Sequence, residues 1–200
     1  MDLSPAVKLL MMVAAGEAIN LTCPDLDVEH LFLGLLKIED FSAGEPPPVE
    51  IPEREWQQAM EEIGVLEVQW QRKKVNCKQV RRRLRKLIQE SQPVNLNQGE
   101  FSGHRTPRCR AMFDKAKAYA RQQGDNQIGL LALLAACLRE ESQTLDTLFQ
   151  EMGWQREDLL PEVVPEKSIE GVLKEAGGKP DKYNLSGKSN LLPWRVTGVT

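Results

Sequence analysis

The sequence of 200 residues has few of the side chains that build metal sites and catalytic centres. It contains only two histidines, His30 and His104, and neither lies at metal-ligand spacing from any of the four cysteines, which form no C-x-x-C pair. Two histidines in separate contexts also complete no Ser-His-Asp or Cys-His arrangement. The Gly-Lys-Ser stretch at residues 187–189 lacks the glycine that a phosphate-binding loop requires five positions earlier, where Lys182 stands. We therefore expect no metal, no cofactor and no enzymatic activity in this chain.

Long apolar runs are missing as well. The densest run extends from Ile128 to Leu138, far short of the roughly 20 apolar residues that a membrane-spanning helix needs. The N-terminus does not match a signal peptide, because Asp2 stands where a basic region would precede an apolar stretch. These absences predict a cytoplasmic protein without a membrane partner.

The sequence does have the composition of a globular protein, with unevenly placed charge. Apolar residues make up 41% and charged residues 28%, which is enough for one good core or two small ones. The formal net charge is -3, yet residues 39–67 are acidic and residues 72–86 include nine Lys or Arg. This basic stretch indicates either the solvated face of a packed helix or a surface for an acidic partner.

The first element that the sequence predicts is a helical hairpin. Ser4 followed by Pro5 is a typical N-cap and first-position pair, and apolar residues then recur at helical spacing to about Asn20. Pro24 ends this helix, and Asp27 is a candidate N-cap for a second one. The buried stripe of the second helix is predicted to contain Leu31, Phe32, Leu35 and Leu36.

The same pattern returns 102 residues later. Thr106, again followed by proline, is a second capping residue, and residues 106–139 align with residues 4–37 without a gap. Thirteen positions are apolar in both segments, although only five are identical. The evidence for an internal repeat therefore lies in the shared pattern.

Each hairpin is followed by further helical sequence, at residues 53–74 and 77–90 after the first and at residues 144–152 and 156–162 after the second. Two four-helix halves follow from this arrangement. The predicted fold class is thus all-α, a pseudo-twofold bundle of about eight helices made of two four-helix repeats.

Proline and glycine mark the predicted boundaries between these parts. The three prolines at residues 46–48 predict an exposed loop, and residues 92–105 predict a linker between the halves. The predicted domain covers residues 1–163, with repeat one at 3–91 and repeat two at 106–163. Residues 164–200 predict a weakly ordered tail or linker with a short helix at residues 169–176.

Short stretches in both repeats resemble the sequence of a known family. Residues 28–36 read Val-Glu-His-Leu-Phe-Leu-Gly-Leu-Leu, residues 124–128 read Gly-Asp-Asn-Gln-Ile, and residues 153–159 read Gly-Trp-Gln-Arg-Glu-Asp-Leu. They are similar to the N-terminal domain of Clp-family AAA+ unfoldases and disaggregases. Its repeats carry Thr-Glu-His-Leu-Leu-Leu-(Gly/Ala)-Leu-Leu, Gly-Asp-x-(Tyr/Phe)-Ile and Gly-(Val/Ile)-x-x-x-x-Leu segments. The resemblance covers about residues 3–163 and is weakest at residues 43–74, where this chain has extra sequence.

The resemblance implies a function in protein binding. In the family, such a domain precedes AAA+ ATPase modules and receives substrates or adaptor proteins. The expected partners are therefore unfolded or tagged client proteins, adaptor proteins, and AAA+ ATPase modules in the same or another chain, in a chaperone or stress-response context. The chain is then either a fragment of a larger ATPase or a stand-alone relative.

The resemblance also implies four candidate binding residues: Ser4, Glu29, His30 and Asp125. Glu29 matches a glutamate that in some family members helps recognise positively charged groups on clients, including phosphorylated arginine. Its equivalent in the second repeat is Leu131, so the binding site is expected to be asymmetric. Ser4 and Asp125 match residues that line the family's substrate groove. Each candidate also has a structural explanation, as a helix cap, a residue at a helix start or a turn residue.

Residues 72–86 support an alternative function, that of a small helical nucleic-acid-binding protein. Against this alternative, an apolar stripe at helical spacing continues through the stretch, which favours a packed helix with a solvated basic face; the stripe consists of Val80, Leu84, Leu87 and Ile88. Aromatic residues that would stack on bases are also missing from it. The sequence therefore favours a solvated basic face, which could also meet the acidic segment at residues 53–67 or an acidic partner, and it disfavours nucleic acid as a partner.

Overall fold

The computed structural model describes residues 1–42, 51–91 and 101–161, all of which belong to one compact unit, Met1–Glu162. Several predicted features lie outside these ranges: the loop at residues 46–48, the tail at residues 164–200 with its short helix, and the Gly-Lys-Ser stretch at residues 187–189. The linker predicted at residues 92–105 is described only from residue 101.

The described residues contain eight α-helices, which confirms the predicted all-α bundle. They are Pro5–Asn20 (α1), Val28–Lys37 (α2), Glu53–Arg72 (α3), Cys77–Ser91 (α4), Pro107–Gln123 (α5), Leu130–Leu138 (α6), Gln143–Met152 (α7) and Arg156–Leu159 (α8). A 3₁₀-helix, Ile38–Phe41, and two short strands, Asp2–Leu3 (β1) and Gln127–Ile128 (β2), complete the elements. None of the described helices is long and apolar enough to cross a membrane.

Polar side chains start the helices where the sequence predicts. The Ser4 hydroxyl accepts a hydrogen bond from the amide of Val7 at 3.2 Å, and the Thr106 hydroxyl accepts one from the amide of Cys109 at 3.1 Å. Asp27 caps α2 through its carboxylate. Ser4 and Thr106 are 102 residues apart, which is the offset of the internal repeat. The two repeats therefore share the same cap hydrogen bond at the start of their first helices.

Four helices end in a left-handed residue. Thr22 ends α1 with φ 56°, Lys74 ends α3 with φ 53°, and glycines at 124 and 153 end α5 and α7 with φ 84° and 70°. In each case the next amide bonds to the carbonyl five residues earlier, which is the Schellman arrangement. Thr22 and Gly124 are again 102 residues apart. Side chains with a Cβ disfavour this conformation, so the first repeat carries backbone strain that the second avoids.

The two repeats exchange backbone hydrogen bonds at two places, which we call junctions. At the first junction β1 pairs in parallel with β2, and the Ser4 amide donates to the Ile128 carbonyl at 3.0 Å. At the second junction Leu26 bridges Arg105, and the Thr106 amide donates to the Leu26 carbonyl at 3.0 Å. The junctions are related by the same offset of 102 residues, as the pseudo-twofold arrangement requires.

A single apolar core spans both repeats. Phe32 of α2 lies at its centre, with edge-to-face contacts to Trp70 of α3 at 6.4 Å and to Phe149 of α7 at 5.7 Å between ring centroids. The sequence left open whether the chain builds one core or two. The structure has one, because Phe32 contacts aromatic rings from both halves.

The fourth helices differ more than the repeat pattern predicts. α4 has 15 residues and packs against both α2 and α7, whereas α8 has four residues and ends at Leu159 instead of residue 162. Arg156 of α8 donates to the carbonyls of Leu138 and Glu140 at 2.8 and 2.6 Å. Through Arg156, α8 therefore donates to backbone carbonyls at and just beyond the end of α6. The longer α4 instead packs against helices of both repeats.

Candidate functional site

Asp27 is the polar centre of the second junction. Its carboxylate accepts hydrogen bonds from the amide of Val28, the hydroxyl of Thr106 and the guanidinium of Arg108, each at 2.8 Å. Burial by itself would raise the pKa of Asp27, but these hydrogen bonds and the positive charge of Arg108 lower it overall. Asp27 is therefore ionised at neutral pH and joins the start of α2 to the start of α5.

Glu29 is bound by residues of the second repeat. Its carboxylate contacts the Arg108 guanidinium at 2.6 Å and accepts a hydrogen bond from the Ser142 hydroxyl at 2.5 Å. The Glu29 side chain is 9% exposed, while that of Arg108 is 34% exposed. The carboxylate to which the family resemblance gives a role in binding a client's positive charge thus already holds an internal guanidinium.

His30 closes the cap of α2 with its imidazole ring. Its Nδ1 accepts a hydrogen bond from the Asp27 amide at 3.0 Å, so in the neutral ring the proton is on Nε2, which lies 3.1 Å from the sulfur of Cys23. Burial lowers the pKa of His30, although the charges of Glu29 and Asp27 oppose this effect. With its Nε2 protonated, the neutral ring cannot remove the proton of the Cys23 thiol, so the pair is not an activated nucleophile.

An open pocket of about 270 Å³ adjoins the second junction. Its lining includes Asp25, Asp27, Glu29, His30 and Thr106. The pocket therefore has acidic walls, but two of its carboxylates already have Arg108 as a counter-charge.

The first junction is built around Glu62 of α3. The Glu62 carboxylate accepts a short hydrogen bond from the amide of Leu130, at the start of α6, and is hydrogen-bonded to the Ser4 hydroxyl. Burial raises the pKa of Glu62, the nearby charge of Asp125 adds to this effect, and the two hydrogen bonds oppose it only in part. Glu62, a residue of α3, thus accepts a hydrogen bond from a backbone amide at the start of α6, where no carbonyl of the same helix is available.

Gly129 explains why this carboxylate comes from α3. It occupies the N-cap position of α6, where the first repeat has Asp27, and it has no side chain with which to cap the helix. A Cβ at Gly129 would lie 2.6 Å from an oxygen of Glu62, closer than such contacts normally allow. Glycine therefore makes room for Glu62, which supplies the missing cap.

The four predicted site residues separate into two pairs. Ser4 is buried at the first junction, and Asp125 is an exposed turn residue near Glu62. Glu29 and His30 are buried at the second junction. The structure thus distributes the predicted residues over two related places, one at each junction.

Sequence reasoning missed Glu62 and Arg108, although each left a signal. The N-cap position of α6 is a glycine, which calls for a cap from elsewhere. Arg108 lies in the first turn of α5, which has no acidic residue, and a positive charge is unfavourable at that end of a helix. Such a placement indicates a carboxylate partner.

The basic stretch at residues 72–86 is partly used inside the fold. Three of its arginines bind carboxylates on other elements: Arg81 binds Asp40 at 2.5 Å, Arg83 binds Glu151 at 2.5 Å, and Arg85 binds Glu17 at 2.7 Å. These pairs join α4 to the 3₁₀-helix, α7 and α1. By contrast, Lys78 and Arg82 are exposed and form no ion pair with any described residue.

The described ranges contain no cluster of three His, Cys, Asp or Glu side chains that could hold a metal ion. The four cysteines are buried and form no disulfide. Burial raises the pKa of Cys109 to about 12, which keeps its thiol protonated and unreactive at neutral pH.

These features define an all-α double-repeat domain whose halves are joined by paired polar junctions. The same architecture occurs in the crystal structure of the Hsp104 N-terminal domain from Candida albicans, a Clp N-terminal domain, with a TM-score of 0.58 over 84% of this chain and 93% of that one, at 12% sequence identity. A second similar structure, described as part of a malarial protein secretion system, gives a TM-score of 0.53 over 88% and 93%, at 11% identity. No family model and no curated protein matches the sequence. The comparison confirms the Clp N-terminal fold.

Proposed function

We propose that this chain is a non-catalytic protein-interaction domain that receives client or adaptor proteins for a Clp-type AAA+ unfoldase. The ATPase modules would lie in the same chain or in a separate one, and the proposed location is the cytoplasm. The observation that carries the proposal is the coverage of the Clp N-terminal fold, since the likeness extends over both repeats and 93% of the Hsp104 N-terminal domain.

The first junction is the better candidate for client contact. Asp125 is exposed there, next to the Ser4 and Glu62 pair. At the second junction Glu29 and Asp27 are occupied by Arg108, so an incoming group would have to displace an internal ion pair. We therefore assign the initial polar contact to Asp125. Glu29 would contribute only after Arg108 moves, and His30 only after its ring leaves the Asp27 amide and Cys23.

Binding is tested with the full 200-residue chain and a fluorescein-labelled unfolded protein, reduced and carbamidomethylated α-lactalbumin. The proposal expects saturable binding by fluorescence anisotropy, weakened about threefold to tenfold by Asp125→Asn. Asp114→Asn is the matched control, because Asp114 is an exposed aspartate on α5 away from the turn. Equal affinities of the two variants would overturn the assignment to Asp125, and absence of binding to unfolded protein and to adaptors would overturn the function.

The connection to an unfoldase is tested separately. The chain is fused ahead of the ATPase modules of a Clp-type unfoldase from which the natural N-terminal domain has been removed. Restored unfolding of a client that requires that domain is the expected result. A fusion that hydrolyses ATP normally but does not process this client would contradict the proposed role.

A further inference from the structure

A row of exposed basic residues lies along α4. Lys78, Arg82 and Lys86 follow one another at intervals of four, and Lys74 lies in the turn just before the helix; all four are exposed. We call these four residues the α4 basic row. Side chains four apart on a helix are neighbours, with Cβ atoms about 6 Å apart, so the helical members form a continuous positive strip.

The row is not needed to hold α4 in place. That role belongs to Arg81, Arg83 and Arg85, whose carboxylate partners lie on other elements. Within the row, the only ion pair in the described structure joins Lys86 to Glu90 at 3.7 Å, and both side chains are at least half exposed. Exposed pairs of this kind contribute little to stability.

The charges of α4 also oppose its helix dipole. Its first turn contains Lys78 and no acidic residue, while its last turn contains Glu90 and no basic residue. Positive groups are unfavourable at a helix N-terminus, and negative groups are unfavourable at a C-terminus. Folding alone therefore gives no reason for lysine at position 78.

Lys74 is a second residue on this surface whose side chain makes the fold less stable. Its φ of 53° is left-handed, and glycine stands at the corresponding end of α7. A lysine there costs stability that glycine would restore. Lys74 is exposed and forms no ion pair with any described residue, so no contact in the described structure offsets this strain.

The surface along α4 favours an acidic protein segment over nucleic acid. Two neutral amides, Asn76 and Gln79, lie beside the row on this surface. The Asn76 oxygen accepts from the Gln79 backbone amide at 3.1 Å, and its NH₂ group donates to no described residue, so it can donate to a carboxylate. α4 also contains no aromatic residue on which a base could stack.

We propose that the α4 basic row docks an acidic helical segment of a partner protein, with carboxylates at every fourth position facing Lys78, Arg82 and Lys86. Carboxylates at this spacing on a helix repeat at the same ~6 Å interval as the row, so each meets one cation. The row residues do not line the second-junction pocket, and the proposal stands independently of the function proposed above.

The test measures binding of a fluorescein-labelled helical peptide with glutamate at every fourth position to the full 200-residue chain. Binding is expected to weaken as salt rises, and the glutamine version of the peptide is expected not to bind. The double variant Lys78→Glu with Arg82→Glu should lose about tenfold or more in affinity. The matched control, Lys117→Glu with Arg121→Glu, changes the same residue types at the same spacing on α5 and should lose less than about twofold.

Lys74→Gly separates docking from folding. It should raise the melting temperature while weakening peptide binding by about twofold to threefold, whereas a lysine with no docking role would change only the melting temperature. Three outcomes would overturn the proposal: no peptide binding at low salt, equal loss in both double variants, or tighter binding of a single-stranded DNA or RNA of matched charge than of the peptide. The last result would assign the row to nucleic acid.

Discussion

The backbone amide of Ser4 donates to the carbonyl of Ile128, a residue of the other repeat, and the Thr106 amide repeats this bond with Leu26. Each repeat's first helix is therefore held at its start by the turn of the other repeat. The shared core has the same property, since Phe32 of the first repeat packs on Phe149 of the second. Neither repeat alone provides all the hydrogen-bond partners and core contacts of its residues.

An isolated first repeat, residues 1–91, should therefore not fold cooperatively. It would expose the core face of α2 that contains Phe32 and leave the Ser4 amide without the Ile128 carbonyl. We expect weak helical circular dichroism and a broad thermal transition, in contrast to a single cooperative transition for the full chain. Recovery of the cooperative transition on mixing with residues 101–200 would support the shared core. A sharp transition of residues 1–91 alone would contradict it.

Arg108→Met should destabilise the protein by about 2–3 kcal/mol at neutral pH, because it leaves Asp27 and Glu29 without their counter-charge. The partial exposure of Arg108 keeps this value below that of a fully buried pair. Chemical denaturation measures the change. Arg110→Met is the control, since Arg110 is exposed and should alter stability by less than about 0.5 kcal/mol.

The cost of Arg108→Met should also depend on pH. The folded protein lowers the pKa of Asp27 below its ordinary value of 3.8, so the stability that this pairing contributes is present above pH 3.8 and is lost as pH falls through the lower, folded pKa. The difference between the wild type and Arg108→Met should therefore shrink in acid. A difference that stays constant down to pH 3 would show that Arg108 acts through packing instead of charge.

Glu62 should show the opposite pH dependence. Its pKa is raised in the folded state above the ordinary value of 4.5, so the folded protein holds the Glu62 proton more tightly than the unfolded chain does. Relative to Glu62→Gln, the wild type should therefore gain stability as pH falls from neutral toward 4.5. Glu61→Gln, an exposed neighbour, is the control and should show no such trend.

Replacement of Glu62 by alanine tests its role as a cap. Glu62→Ala removes the acceptor for the Leu130 amide and the partner of the Ser4 hydroxyl, so we expect a loss of about 1–3 kcal/mol. Glu62→Gln retains an acceptor oxygen and should cost less than Glu62→Ala. Equal effects of the two substitutions in denaturant titrations would mean that the hydrogen bonds contribute little.

Thr22→Gly and Gly124→Ala should change stability in opposite directions. Both positions are left-handed and equivalent in the repeat, with φ of 56° and 84°. Glycine at position 22 should stabilise the fold by about 0.5–1 kcal/mol, reduced in part by loss of the Thr22 hydroxyl bond to the Leu21 carbonyl. Alanine at position 124 should cost about 1 kcal/mol. Thermal unfolding of the two variants measures both changes.

Much of the fold could be predicted from the sequence because its signals are local. Ser4, Thr106 and Asp27 act as caps within a few residues of the amides that they satisfy, and the apolar spacing that predicts α1 and α5 is visible in a short window. The offset of 102 residues then places the second hairpin. Even the left-handed position of Gly124 follows from its place at a helix end.

The candidate site was less predictable because its contacts are distant in sequence. Glu62 meets Leu130 across 68 residues, and Arg108 meets Glu29 across 79. Nothing in a local window specifies such partners, although Gly129 and the unfavourable position of Arg108 indicate that partners exist. The helix at α8 was predicted, but its early end at Leu159 was not, for a related reason: Arg156 donates tertiary hydrogen bonds to the carbonyls of Leu138 and Glu140, which a local window does not show.

The position of Arg108 has a consequence for selectivity. Any cation that enters the second-junction pocket competes with a guanidinium attached to the same chain, whose effective concentration is high and fixed. The apparent affinity of such a ligand is reduced by the fraction of molecules in which Arg108 has withdrawn. Weakly held cations, including ordinary salt ions, are thereby excluded. A ligand would need several simultaneous contacts to occupy the pocket.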